Sequence, residues 1–307
     1  MEPGVRPALE PQDSPAHPLA PWFAGWREER RGARGPSGRA RKRRAAITMV
    51  HNEAVFLPIW LDYYSRFFES PDIYVLDHHT TDGSTDRDGF VKIPMTSNRF
   101  DNTWRRETVQ GLQHELLDTY DVVLVTDVDE IVSPVPEWGD LGEYIDGFGE
   151  EWVNCLGYEL LHMREREEPL RADGPILAQR HWWFANDGYD KAALTAVPMT
   201  WRPGFHGRAD WQAKFDPDLR LIHLHRMDYE ICRERHRIRS RRPWAERDQR
   251  ESWGVQNRIT EDKEFERWFY EDSSCVGVEI RPERVRDSWR GLLLNPGCAA
   301  LGTSACR

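Results

Sequence analysis

Between residues 124 and 132 the chain reads LVTDVDEIV. An apolar run meets three carboxylates, Asp127, Asp129 and Glu130, and then turns apolar again at Ile131 and Val132. Carboxylates beside a buried strand are costly unless they are paired, hydrogen-bonded or bound to a metal. Asp127 and Asp129 are one residue apart. On an extended segment they would point to one side and Glu130 to the other. Two carboxylates on one side suit a hard divalent cation such as Mg²⁺ or Mn²⁺. The plain alternative is a capped, solvated acidic loop. Imidazoles recur further along, at His206 in PGFHG and at His223 and His225 in LRLIHLH. His-x-His on a strand places both rings on one face, which also suits a metal.

The elements that must position these groups are legible in outline. AAITMV (45–50) reads as a buried strand ending in HNE, with Asn52 and Glu53. AVFLPIWLDYYSRFF (54–68) carries apolar residues at helical spacing, with Pro58 early, where a helix tolerates it. DIYVLD (72–77) is a second strand, followed by turn chemistry in HHTTDGSTD, and FVKIP is a third. DNTWRRETVQGLQHELLDTY (101–120) is a helix with Asp101 or Asn102 as its cap, and DVVLVTDVDE is the fourth strand. Alternating helices and near-continuous apolar strands predict an α/β fold with a mostly parallel sheet. Ligands in such sheets bind beyond the carboxyl ends of the strands, where HNE, DHHTTDGS and DVDE all fall. In the second half, strands are expected at 152–161, 175–184, 192–197 and 219–225, and helices at 228–241 and 261–272. No internal repeat is visible.

Residues 1–44 are rich in Pro, Gly, Arg and Ala and predict a disordered tail, strongly basic over 27–44. The main domain is expected over 45–240 and a helical extension over 241–307. The 307 residues allow one large or two modest domains. Mean hydropathy of −0.73 with 31% charged residues implies a very polar surface around a core that 39% hydrophobic residues can still fill. The net charge of −10 argues against general nucleic-acid binding. Five cysteines without CxxC spacing, and no apolar leader, predict a reducing, cytoplasmic setting. Cys298 and Cys306 are the one pair close enough in sequence to suggest a local bridge. The basic tail would allow peripheral contact with an anionic membrane face. Fourteen tryptophans read first as core, with sugar-stacking faces as the second use.

Taken together, ITMVHNEAVFLPIWLDYY, IYVLDHHTTDGST, VLVTDVDEIV, DKAALTAVPMTWRPGFHG and LRLIHLHRMD resemble a GT-A glycosyltransferase of the family-2-like group, over about residues 45–230. The resemblance implies a Rossmann-like GT-A sheet with flanking helices. It also implies a UDP- or GDP-sugar donor, a Mn²⁺ or Mg²⁺ cofactor and a glycan or lipid-linked acceptor, with cell-surface polysaccharide assembly as the default setting. On this reading Asp129 binds the metal, and Asp127 contacts the metal or the ribose. Asn52, Glu53, Asp77 and Asp82 line the nucleotide, and Lys191 approaches the diphosphate as a point charge. His225 or His206 supplies a further metal ligand. Arg105, Arg106, Arg202 and Arg208 are additional phosphate candidates. Inversion at the sugar carbon needs a general base. The family's usual acidic pair is not evident, and Asp187 and Asp190 are the carboxylates best placed to act. His78 and His79 stand where relatives carry small or polar residues.

Two other readings of the domain remain, and a third makes the basic arm within residues 1–44 a nucleic-acid tether. One is a GT-A scaffold that binds a nucleotide or glycan without turnover. The other is a metal-dependent phosphohydrolase, for which DVDEI lacks the threonine of a DxDxT pattern. For Asn52 the plain alternative is a cap on the helix that follows it.

Overall fold

The computed structural model describes residues 41–95, 97–171, 173–272, 279–290, 292 and 294–296. Residues 1–40 of the basic tail, with Cys275, Cys298 and Cys306, lie outside the described residues.

Four strands form the first half of a ten-stranded sheet: β1 (Arg44–Val50), β2 (Ile73–Asp77), β3 (Val91–Pro94) and β4 (Val122–Val125). They pair in parallel in the order β4-β1-β2-β3. Every residue of β1 is buried, because both faces of the sheet are covered. Ala46 and Val50 join one apolar cluster, and Ala45, Ile47 and Met49 join the other.

Helix α1 (Phe56–Tyr64) covers the first face and buries Phe56, Leu57, Ile59, Trp60, Tyr63 and Tyr64. It is also bonded to the chain that carries the acidic motif. Trp60 Nε1 donates to Thr126 Oγ1 at 2.9 Å, and Tyr63 OH to the Val132 carbonyl at 2.9 Å. Tyr64 OH accepts from Val132 N at 2.8 Å and donates to the Glu130 carbonyl at 3.2 Å. Helix α2 (Asn102–Leu116) covers the other face through Val109, Gln113 and Leu116. Asp101 is its cap, accepting from Trp104 N at 2.9 Å.

The acidic stretch departs from a single extended strand. After β4 the chain turns, Glu130 N donating back to the Asp127 carbonyl at 3.0 Å. It then leaves as β5 (Glu130–Pro134), antiparallel to β10 (Phe215–His223). Three carboxylates interrupt the apolar run here, but a single extended segment would carry them equally well, so the sequence pattern alone does not mark the turn.

The second half mixes orientations. After α3 (Leu141–Gly147), β6 (Trp152–Leu160) lies antiparallel to β8 (Trp182–Ala185) and β9 (Lys191–Thr195), and parallel to β10. β9 joins this half to β4. The strand expected over 175–184 is instead β7 (Asp173–Pro175), a short helix α4 (Ile176–Gln179) and β8. Arg180 ends α4; its buried guanidinium donates to the Met227 carbonyl and to Asp228. Helix α5 (Tyr229–Arg241) begins at Asp228, whose carboxylate accepts from Glu230 N and Ile231 N. Beyond it lie α6 (Glu246–Arg250), α7 (Asp262–Tyr270), β11 (Glu283–Arg284) and β12 (Leu294–Pro296). Phe265, Trp268 and Phe269 of α7 pack with Tyr229 and Cys232 of α5 in a third apolar cluster. The fold is mixed α/β with helices on both faces of the sheet. No helix among the described residues is long and apolar enough to cross a membrane.

Candidate active site

The carboxyl ends of β1 and β4, the end of β10 and one face of α5 enclose a cavity of about 150 Å³. Its acidic side is Glu53, Asp127, Asp129 and Glu130, and its basic side is Arg105, Arg235, Arg239 and Arg242. His51, His78, His206, His223 and His225 complete much of the lining.

The turn fixes the carboxylates differently from an extended segment. Glu130 folds back, and its Oε2 accepts from Asp127 N at 2.7 Å. The same oxygen takes a 2.6 Å bond from Lys191 Nζ, which also reaches Asp127 Oδ2 at 3.1 Å. Glu130 therefore sits with Asp127, not opposite it. Arg105 holds the other Asp127 oxygen at 3.1 Å. Burial alone would raise the Asp127 carboxyl, but Lys191 and Arg105 hold it well below the usual carboxylate range. Glu130 moves the other way, pushed up by burial and by the Asp127 charge against the pull of Lys191. Lys191 is lowered by burial but raised further by Asp127 and Glu130, so it stays a cation. Lys191 thus binds the acidic turn from behind.

Asp129 is buried and paired with Arg235, while His223 Nε2 lies 3.4 Å from its Oδ2. Burial would raise this carboxyl too; Arg235 and His223 hold it well below the usual range. Arg235 also forks onto Glu53 Oε1 at 2.7 and 3.1 Å, and Arg239 approaches the same oxygen at 3.4 Å. His223 is bracketed by Glu159, whose Oε2 is 2.6 Å from Nδ1, and is stacked on Tyr189. Burial disfavours its charged form, yet Glu159 and Asp129 push its pKa up to about 10.

The donor atoms of Asp129, His223 and His225 lie within 4.8 Å of one another. With Nδ1 of His223 directed to Glu159, Nε2 faces Asp129. This is the second-sphere arrangement that orients a metal-binding imidazole. Between two carboxylates the His223 ring is an imidazolium, so a divalent cation would be held by the Asp129 carboxylate and by His223 Nε2 once it displaces the Nε2 proton, with Arg235 sharing Asp129.

The remaining expected residues fall in distinct places. Asn52 does not cap α1; the cap position is Val55, with no side-chain bond. Asn52 instead adopts a positive φ of 56° and accepts from Thr81 N at 2.8 Å and Asp82 N at 3.2 Å, tying HNE to the following loop. Asp77 is buried and orders that loop by accepting from Thr80 N and Thr85 Oγ1, each at 2.8 Å. Asp82 is exposed and, with Asn52 and Glu53, lines a second cavity beside the first. His206 is exposed and reaches the main cavity. Neither Asp187 nor Asp190 lines that cavity, although Tyr189 between them does. Asp187 is exposed, and Asp190 is buried and accepts from Gly157 N at 2.8 Å. Arg106 pairs with Glu107, Arg208 pairs with Asp210, and Arg202 stacks on Trp211.

Sequence reasoning gives no role to Arg235, Arg239 or Glu159, and gives His223 only its place in a His-x-His pair. The signals are present. Arg235 and Arg239 are four apart on an expected helix, and Glu159 is a lone carboxylate inside an apolar strand.

No family model matches the chain, and no curated protein matches it. Among solved structures it is similar to the crystal structure of mannose-1-phosphate geranyltransferase from Thermus thermophilus. The identity is 12%, the TM-score 0.27, and the match covers 51% of this chain and 50% of that one. The chain therefore matches about half the length of that protein, at a similarity that carries no argument about activity.

Proposed function

We propose that this chain is a metal-dependent glycosyltransferase of GT-A type that moves a sugar from a UDP- or GDP-sugar to a glycan or lipid-linked acceptor. The observation that carries the reading is one cavity at the strand ends where Asp127 and Asp129 face a row of guanidinium groups. A diphosphate leaving group needs such opposed charges: carboxylates to hold a cation, and arginines to hold the phosphates directly. Arg242 suits that role. Among the described residues its guanidinium bonds only to the carbonyls of Asn98 and His78, and it has no ion pair.

Asp129 and His223 would hold Mn²⁺ or Mg²⁺, with His225 beside them. The bound ion would neutralise charge that develops on the departing diphosphate. Arg105, Arg239 and Arg242 would orient the phosphates. Asn52 and Asp77 would hold the loop against the nucleotide, with Asp82 at its rim, and Lys191 would keep Asp127 ionised. Transfer breaks the bond between the sugar carbon and the phosphate oxygen and forms one to the acceptor oxygen. The acceptor proton passes to a base. We assign that role to Asp187, two residues from the cavity wall at Tyr189, and assign to Asp190 the positioning of its turn.

The reading is tested by incubating the full chain with Mn²⁺ and a panel of UDP- and GDP-sugars, and following nucleoside diphosphate release. Metal-dependent release, reduced by at least about 100-fold in Asp187→Asn, is expected for loss of a general base. A second reading, a scaffold that binds without turnover, is favoured by the protein cations already paired with Asp127, Asp129 and Glu53. It predicts saturable nucleotide binding with no release for any donor.

A further inference from the structure

Behind the donor cavity, α5 and the segment after β10 bring together three further ligand-type side chains. Cys232 and His236 are four residues apart on α5, so they share one face of the helix. His225 approaches from the end of β10. All three are buried, and one ligand atom from each lies within 4.8 Å of the others. His225 Nε2 and His236 Nε2 are 3.1 Å apart. His236 Nδ1 lies 3.1 Å from the Ile259 carbonyl, which can only accept. Nδ1 of His236 therefore carries the proton, and its Nε2 presents a bare lone pair toward His225. A backbone carbonyl holding the far nitrogen in this way is the usual support of a metal-binding histidine. The Cys232 thiol is buried and is not in a disulfide.

We propose that Cys232, His225 and His236 form a second metal site, for a thiophilic ion such as Zn²⁺ or Cu⁺, separate from the hard cation of the donor cavity. One thiolate and two neutral imidazoles form a soft donor set, unlike the carboxylate and imidazole at Asp129 and His223. Binding releases one proton, from the Cys232 thiol. The His225 proton moves from Nε2 to Nδ1, and His236 gives its existing lone pair. With His225 committed here, the donor-site cation keeps Asp129 and His223. Trp268 packs 4.7 Å from the His236 ring and closes one side of the site. The ion would tie α5, which carries Arg235 and Arg239, to the end of β10, which carries His223. The proposal does not rest on the donor-site reading.

The test uses the full chain, reduced, stripped with a chelator and titrated with Co²⁺. One equivalent should produce a sulfur-to-cobalt charge-transfer band, displaced by Zn²⁺ or by Cu⁺. Cys232→Ser should abolish the band, and His236→Gln should weaken Co²⁺ binding by about tenfold or more, each with wild-type circular dichroism. Asp129→Ala should keep the band, because the donor cavity supplies no sulfur. Metal analysis of the chain as purified then identifies zinc or copper as the resident ion. Absence of the band in the wild type, or its persistence in Cys232→Ser, overturns the proposal.

Discussion

Arg235→Met tests how the cavity is held together. Arg235 is buried and is the cation shared by Glu53 and Asp129. Methionine fills similar volume without charge, so the variant leaves buried carboxylates short of a partner. Removing one member of a buried pair typically costs about 3–5 kcal/mol. The loss here belongs near the lower end, about 3 kcal/mol, because His223 still faces Asp129 and Arg239 still approaches Glu53. In the wild type the Asp129 carboxyl is held below its unfolded value. It therefore contributes stability above the unfolded pKa, and that contribution fades as pH falls through the folded value. Without Arg235, burial dominates and the folded value rises. The variant is then penalised most near neutrality, and less as the group protonates. Urea unfolding of both proteins at several pH values measures this. A deficit of about 3 kcal/mol at neutral pH that shrinks toward about pH 4 is expected. A neutral-pH deficit under about 1 kcal/mol, or one independent of pH, would mean that Arg235 does not hold the two carboxylates ionised.

Three further outcomes follow from the same geometry. Tyr64→Phe removes the hydroxyl that bonds Val132 N and the Glu130 carbonyl, so a buried N–H loses its partner. A loss of about 1–3 kcal/mol in urea unfolding is expected. Glu159→Gln weakens the raised pKa of His223. A raised histidine stabilises fully below its unfolded pKa of about 6.5 and loses that stabilisation as pH rises through about 10. The variant should therefore lose stability at lower alkaline pH than wild type, as followed by a thermal-melting series from pH 6 to 10. Arg242→Ala should weaken nucleoside diphosphate binding by about tenfold and flatten its salt dependence, measured by calorimetry at two ionic strengths.

The parts of the fold legible in the sequence are those where burial dictates pattern. β4 is apolar throughout, and β1 and β2 nearly so, because α1 and α2 cover both faces, and Asp101 marks the start of α2. The turn at Asp127–Glu130 is not legible, because it rests on the Glu130 carboxylate and Lys191, which is 61 residues away. The same holds for the break between α4 and β8: the Arg180 guanidinium there is satisfied by Met227 and Asp228, far along the chain. The acidic half of the cavity is visible as strand-end motifs. Its basic half is harder to see, since Arg235 and Arg239 meet Glu53 only after more than 180 residues of intervening chain.

Metal-dependent nucleotide binding at Asp129 is tested by a thermal-shift series with UDP, GDP and their sugars, with and without Mn²⁺, on wild type and Asp129→Ala. A ligand at about 100 times its Kd should stabilise the fold by about 2.7 kcal/mol. The expected result is a shift in the wild type that needs both Mn²⁺ and one nucleotide, and that vanishes in Asp129→Ala while the unliganded variant stays folded. An equal shift in Asp129→Ala, or no shift with any nucleotide, would contradict it.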